Sequence, residues 1–271
     1  MWTTSRCYWI LLLCMFSLTA QASSMAGGEP QFPPEQIIAF SKKVERTLAA
    51  KGARIAIVAR MGRPASELPE GFHYTHAGFA VYSEVKTADG RTLPAYAMYN
   101  LYQRNDKPDS SYLIQDFPVD FFAGVAVLDA GLILPSAELQ RRLLATLASP
   151  TYQALHDPHY SAIANPYTQG RQNCTEFVLD VINAAIYQTD NINRIKASEK
   201  AYFEAQPVNV GPLKLLFGSM FSADITTVDQ PGSPVTATFE TIAKYLHKYD
   251  EGSEVLTVTL QPQTGVAPSG N

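Results

Sequence analysis

The chain has 271 residues, with 21 basic and 25 acidic side chains and a formal net charge of −4. That balance, with no basic block, argues against nucleic acid and against anionic membrane surfaces as partners. Its three cysteines, Cys7, Cys14 and Cys174, are too few for a disulfide framework, so the fold must rest on its core, which a chain of this length can build.

Residues 1–22 read as a secretory signal: Arg6 is the positive n-region, Trp9 to Leu18 the short apolar core, and Ala20-Gln21-Ala22 the cleavage site. Bulky Leu13 before Cys14 speaks against a lipid-anchor cysteine. Removal of the signal leaves Cys174 as the one cysteine and takes away both tryptophans. The product is expected to be periplasmic or secreted, and no later stretch approaches the roughly 18 apolar residues of a membrane span.

Residues 23–33 are expected to be a flexible leader, 34–260 one α+β domain, and 261–271 a disordered tail. From Pro34 to Ala50, Ile37, Phe40, Val44 and Leu48 recur at helical spacing, with Gly52 as the stop. Arg54 to Arg60 is a short apolar run with the character of a buried strand. A surface loop follows, marked by Gly62-Arg63-Pro64 and Pro69-Glu70-Gly71. Tyr74 to Tyr82 and Ala95 to Tyr102, separated by a turn at Ala88-Asp89-Gly90, predict an antiparallel hairpin carrying His76 and Asn100.

Residues 103–118 look loop-like, and Val119 to Leu134 strand-like. Pro135-Ser136 opens a helix, and a short strand is expected from Tyr160 to Ala164. Phe177, Val178, Val181, Ile182, Ala185 and Ile186 then define a buried helical stripe with Cys174 on its first turn. Further helices are expected over 195–203, 213–221 and 239–249, and a strand over 254–260.

A thiol at a helix N-terminus faces unpaired N–H groups and the positive end of the helix dipole, which favour the nucleophilic thiolate. The competing reading is a small buried hydrophobe. A cysteine nucleophile needs a base, and the base needs a group that holds its tautomer. Of the five histidines, His247 lies near the end of a surface helix, His73 in a loop, and His156 and His159 about a turn at Pro158. His76 alone sits within a central strand. His73 and His76 face opposite sides of a strand, and Pro158 separates the other pair, so no metal site is expected. No phosphate-binding glycine motif is present, and no cofactor is expected. Arg60 and Arg63 read by default as solvated, with binding of an anionic substrate group as their alternative role, and Gln172 as a loop side chain facing water, with an oxyanion donor as its alternative role.

Asn-Cys-Thr-Glu-Phe-Val at a helix start, preceded by Thr-His-Ala-Gly-Phe-Ala-Val-Tyr on a strand, resembles the circularly permuted branch of the NlpC/P60 papain-like superfamily, which includes lecithin:retinol acyltransferase-like proteins. The cysteine follows the histidine by 98 residues, the order of permuted members. At finer grain the Gly-Arg-Pro, Thr-His, Asn-Leu-Tyr-Gln and Gln-Asn-Cys-Thr-Glu segments resemble DUF2145, a bacterial family of secreted proteins. The resemblance implies an antiparallel sheet packed on helices, Cys174 as nucleophile, His76 as base, and a polar third residue at Asn100, with Gln103 in reserve. The implied activity is thiol-dependent hydrolysis or acyl transfer at amide or ester bonds, with cell-wall peptides as the first substrate class. The alternative is a non-catalytic periplasmic binding or assembly protein on the same scaffold.

Overall fold

The structure, a computed structural model, describes residues 30–63, 68, 71–86, 89–208 and 226–260. The signal and tail expectations, and the helix expected at 213–221, lie outside the described residues. A central sheet organises the rest. Strands β1 (Ile55–Arg60), β2 (His76–Lys86), β3 (Thr92–Gln103), β4 (Ser111–Asp116), β5 (Asp129–Leu134) and β8 (Glu254–Thr259) run in the order β4-β3-β2-β1-β5-β8, and every pairing is antiparallel. A separate two-residue pairing joins β6 (Gln206–Pro207) to β7 (Val235–Thr236).

Alternation along the strands sends residues to two cores. Ala56, Val58, Ala80, Met98 and Ala130 face helix α1 (Pro34–Ala50) and the short α2 (Pro118–Phe121). Ile57, Ala59, Ala77, Phe79 and Leu101 face the other layer: α3 (Ala137–Leu147), α4 (Thr151–Ala154), α5 (Cys174–Tyr187), α6 (Ile192–Tyr202) and α7 (Phe239–Tyr249). Strand β1 is covered on both sides, which is why its sequence is apolar without alternation.

Helix α5 is buried along nearly its whole length, from Cys174 to Ala185. Its start is fixed by Asn173, whose Oδ1 accepts from Glu176 N at 2.9 Å, a cap that satisfies one of the first-turn donors. The other side of Asn173 is tied down as well: Nδ2 donates to Ala162 O at 3.1 Å and to Thr236 Oγ1 at 3.2 Å.

Three sequence expectations change. The stretch expected to be loop over 103–118 contains the edge strand β4, paired with β3 from Met98↔Asp116 to Gln103↔Ser111. The apolar run 119–134 is not one strand: Phe121, Phe122, Val125 and Leu128 fill the core beside α1, and only 129–134 joins the sheet. Tyr160 makes an isolated bridge to Gln172, and no strand runs from 160 to 164.

Candidate functional site

The first strand residue of β2 is His76, paired with Arg60 of β1. Both project to the α1–α2 face and are almost wholly buried. The His76 ring stacks on Tyr102, with centroids 4.8 Å apart and planes 14° apart, and Phe121 closes its flank at 5.4 Å. Arg60 lies over the same aromatic pair, its Cζ 5.1 Å from the Phe121 ring and 5.7 Å from that of Tyr102, and its Nη1 donates to Phe121 O. The expectation of a solvated Arg60 is therefore corrected: aromatic faces and a carbonyl replace the water a guanidinium would otherwise need.

Asn100, the third residue that the resemblance implied, lies beside His76, with Oδ1 3.4 Å from His76 Nε2. Gln103 does not reach it; its Nε2 donates to Pro108 O at 2.7 Å. Asn100 Nδ2 donates in turn to Asp116 Oδ1 at 2.8 Å, and the Tyr102 hydroxyl donates to Asp116 Oδ2 at 3.0 Å. Three strands thus contribute to one polar chain, His76–Asn100–Asp116. Sequence reasoning missed Asp116 because it treated the strand that carries it as loop.

Asn100 Oδ1 can only accept, so Nε2 of His76 carries the proton and Nδ1 keeps its lone pair. Nδ1 is buried and has no hydrogen-bond partner among the described residues. Leaving such a group unpaired costs about 1–3 kcal/mol. Burial first, and then the Arg60 cation, hold His76 well below its ordinary pKa. The ring is a neutral imidazole at neutral pH.

Cys174 arrives from the other layer. Ladder pairing between β2 and β3 stops at Phe79↔Tyr99, leaving the backbone at Ala77 unpaired on its β3 side. There the sulfur of Cys174 lies near the backbone N–H groups of Ala77, Thr175 and Cys174 itself, whose positive ends favour the thiolate. Cys174 is 4 % exposed, and burial pushes its thiol up to about 11 despite those donors and the nearby Arg60 charge. The sulfur therefore lies near the residue next to His76, while the imidazole projects to the opposite side of the strand. The two are neighbours through the backbone, and no hydrogen bond joins them.

Gln172 does not face water. Its Nε2 donates to Leu155 O at 3.0 Å and to Asp180 Oδ2 at 2.7 Å, and its Oε1 accepts from Asp157 N at 2.9 Å, so its amide is committed to the protein. The remaining histidines are dispersed. His73 lies 3.9 Å from Asp129, His156 Nε2 lies 2.9 Å from Ser111 Oγ, and His159 Nδ1 lies 2.7 Å from Asp157. Among the described residues no group of three or more His, Cys, Asp or Glu is placed to hold a metal ion, and no helix is long and apolar enough to cross a membrane.

No curated protein and no solved structure matches the chain. The profile of one bacterial family, described as "Uncharacterized protein conserved in bacteria", matches residues 47–246, a span that runs from the end of α1 into α7 and takes in Arg60, His76, Asn100, Asp116 and Cys174. Over that length the match is decisive, and the chain belongs to the family DUF2145.

Proposed function

We propose that this chain is an exported thiol-dependent hydrolase or acyltransferase, acting on amide or ester carbonyls, on a permuted papain-like scaffold. One observation carries the reading. His76 is buried as a neutral base whose outer nitrogen is tied to Asn100 and whose Nδ1 is left without a partner, while the one cysteine among the described residues lies near the backbone of the adjacent Ala77.

In the resting state the thiol is protonated and the imidazole neutral. Attack then proceeds with proton transfer from Cys174 Sγ to His76 Nδ1 as the S–C bond forms, and the same proton returns to the leaving amine or alcohol. Because the imidazole and the thiol lie on opposite sides of β2, turning the sulfur alone does not bring them together, and the transfer requires the strand start at His76–Ala77 to shift as substrate enters, a larger change than the tightening apo sites commonly need. The N–H groups at the start of α5 supply donors for the developing oxyanion. Cell-wall peptide amides are the first substrate class to test, because the N-terminal segment reads as an export signal.

The test is the pH dependence of Cys174 alkylation by iodoacetamide in the native protein and in His76→Ala. Alkylation of the folded protein near neutral pH that is lost in His76→Ala supports the enzyme. A thiol that reacts only on unfolding overturns it and supports the second reading, a non-catalytic binding or assembly protein, which the 4 % exposure of Cys174 favours.

A further inference from the structure

We infer that Asp116 is a positioning residue that selects which nitrogen of His76 acts as the base. The inference rests on the reading above that His76 is the base; it adds a residue and a physical device to it. An Asn side chain has two nearly equivalent orientations, and in each of them it presents a different group to its neighbours. Were the Asn100 amide reversed, its NH2 would face His76, Nε2 would have to accept, and the ring proton would move to Nδ1. The base would then be blocked at the one nitrogen that the structure leaves open.

Asp116 decides between the two orientations. An ionised carboxylate only accepts, so Asn100 must offer it Nδ2, which leaves Oδ1 for His76 Nε2–H. Tyr102 reinforces the choice by donating to the second oxygen of the same carboxylate while its ring stacks on the imidazole. Each acceptor in the chain is thereby matched to a donor, and the pattern closes only with Nδ1 unprotonated.

Asp116 is flanked by charged or titratable groups from every element around it: Arg60 of β1, His76 of β2, Tyr102 of β3, Tyr112 of β4 and Asp120 beside it in α2. Burial, with the Asp120 carboxylate adding to it, pushes the Asp116 carboxyl up to about 7, against the opposing Tyr102, Arg60 and Asn100 contacts. Protonating Asp116 gives it a donor, so the orientation of Asn100 is no longer forced.

The experiment is a histidine ring-nitrogen NMR spectrum of the 15N-labelled protein, wild type and Asp116→Asn, recorded from pH 5 to 9. The wild type above pH 7 is expected to show His76 as the Nε2–H tautomer. Asp116→Asn can face Asn100 with either end of its amide, so the Nδ1–H tautomer is expected to appear, and Cys174 alkylation at pH 7 to slow at least about tenfold, the direction a wrong tautomer takes in a triad. A folded Asp116→Asn protein that keeps the pure Nε2–H tautomer overturns the inference. The unmodified protein gives the same test without a variant: the Nε2–H preference must weaken as the Asp116 carboxyl takes up its proton, and a carboxyl that titrates while the tautomer signal stays fixed overturns the inference too. A tautomer that responds while Cys174 stays inert supports Asp116 as the positioning residue and removes the enzyme reading instead.

Discussion

Asn100 lies so closely over Gly78 that a β-carbon on residue 78 would sit 2.3 Å from Asn100 Oδ1 and 2.9 Å from Tyr99 O. The glycine is needed for that approach and not for its backbone angles. Gly78→Ala must push the Asn100 carboxamide away from His76 or spread β2 from β3. We expect a loss of about 1–3 kcal/mol in unfolding free energy, the usual range for overpacking, together with loss of the Nε2–H tautomer preference. Urea unfolding and the histidine ring-nitrogen spectrum check the two parts, and an unchanged tautomer would show that the close approach has no bearing on His76.

Arg60 acts on three groups at once. Its charge lowers the pKa of His76, of Cys174 and of Asp116. Arg60→Met, of similar length and apolar, is therefore expected to raise all three together. His76 moves up toward its ordinary range while remaining depressed by burial, and the thiolate becomes rarer at any given pH. NMR titration of His76 and alkylation of Cys174 across pH read the shifts. Movement of the two in opposite directions would show that Arg60 acts by holding packing and not by its field.

The main frame of the fold was legible because its elements follow simple periodicities. Examples are the helical stripe of α1, the β-rich hairpin with its turn near Gly90, and the apolar run of α5 behind an Asn cap. The hairpin that carries His76 and Asn100 was legible for the same reason, while the choice of Asn100 as the residue beside His76 came from the family resemblance. What the pattern could not reveal depended on neighbours distant in sequence. Strand β4 is an edge strand whose Leu113 and Ile114 are framed by polar residues, and only its pairing with β3 makes it a strand. Phe121 and Phe122 extend an apolar run that resembles a strand, yet they turn away from the sheet to pack under α1. Arg60 looked solvated because nothing local announces that two aromatic rings from β3 and α2 will enclose it.

Two titrating groups at the site pull stability in opposite directions with pH. His76 has a native pKa well below the 6.5 of the unfolded chain, so its contribution is complete above about 6.5 and is lost as pH falls, when the unfolded state takes a proton that the native state refuses. Asp116 has a native pKa near 7 against 3.8 unfolded, so its contribution is complete below about 3.8 and is lost as pH rises toward 7. The two windows overlap below about pH 6.5, and the wild-type curve is expected to be flatter there than either component. In Asp116→Asn the second component vanishes. The stability of the variant relative to wild type should therefore improve steadily from pH 4 to 7, as read by urea midpoints. A difference independent of pH would show that Asp116 titrates normally in the native protein.

Away from the site, Lys196 of α6 is buried against three carboxylates, with Nζ 2.8 Å from Glu176 Oε1, 2.7 Å from Asp180 Oδ1 and 3.1 Å from Glu199 Oε2. One ammonium cannot balance three anions out of water. Burial, with the Asp180 charge adding to it, pushes the Glu199 carboxyl well above its ordinary range, and burial raises Glu176 to about 8 against the opposing pull of Lys196. Burial alone would lower the Lys196 pKa, but the three carboxylates outweigh it and hold the ammonium charged. Lys196→Met keeps the aliphatic stem and removes the cation, leaving buried carboxylates with no counter-charge. The expected loss is about 3–5 kcal/mol, the range for removing one partner of a buried ion pair. Adding Glu176→Gln should recover little of it near pH 7, where a carboxyl raised to about 8 is already mostly protonated, with the recovery and the non-additivity in a double-mutant cycle growing as pH rises and the substitution removes a charge. Because Glu176 lies on the first turn of α5, two residues from Cys174, this cluster also locks the helix start that presents the thiol. Chemical denaturation of the single and double variants decides it: a loss below about 1 kcal/mol in Lys196→Met would mean that the carboxylates neutralise themselves by taking up protons and that the lysine contributes little to the fold.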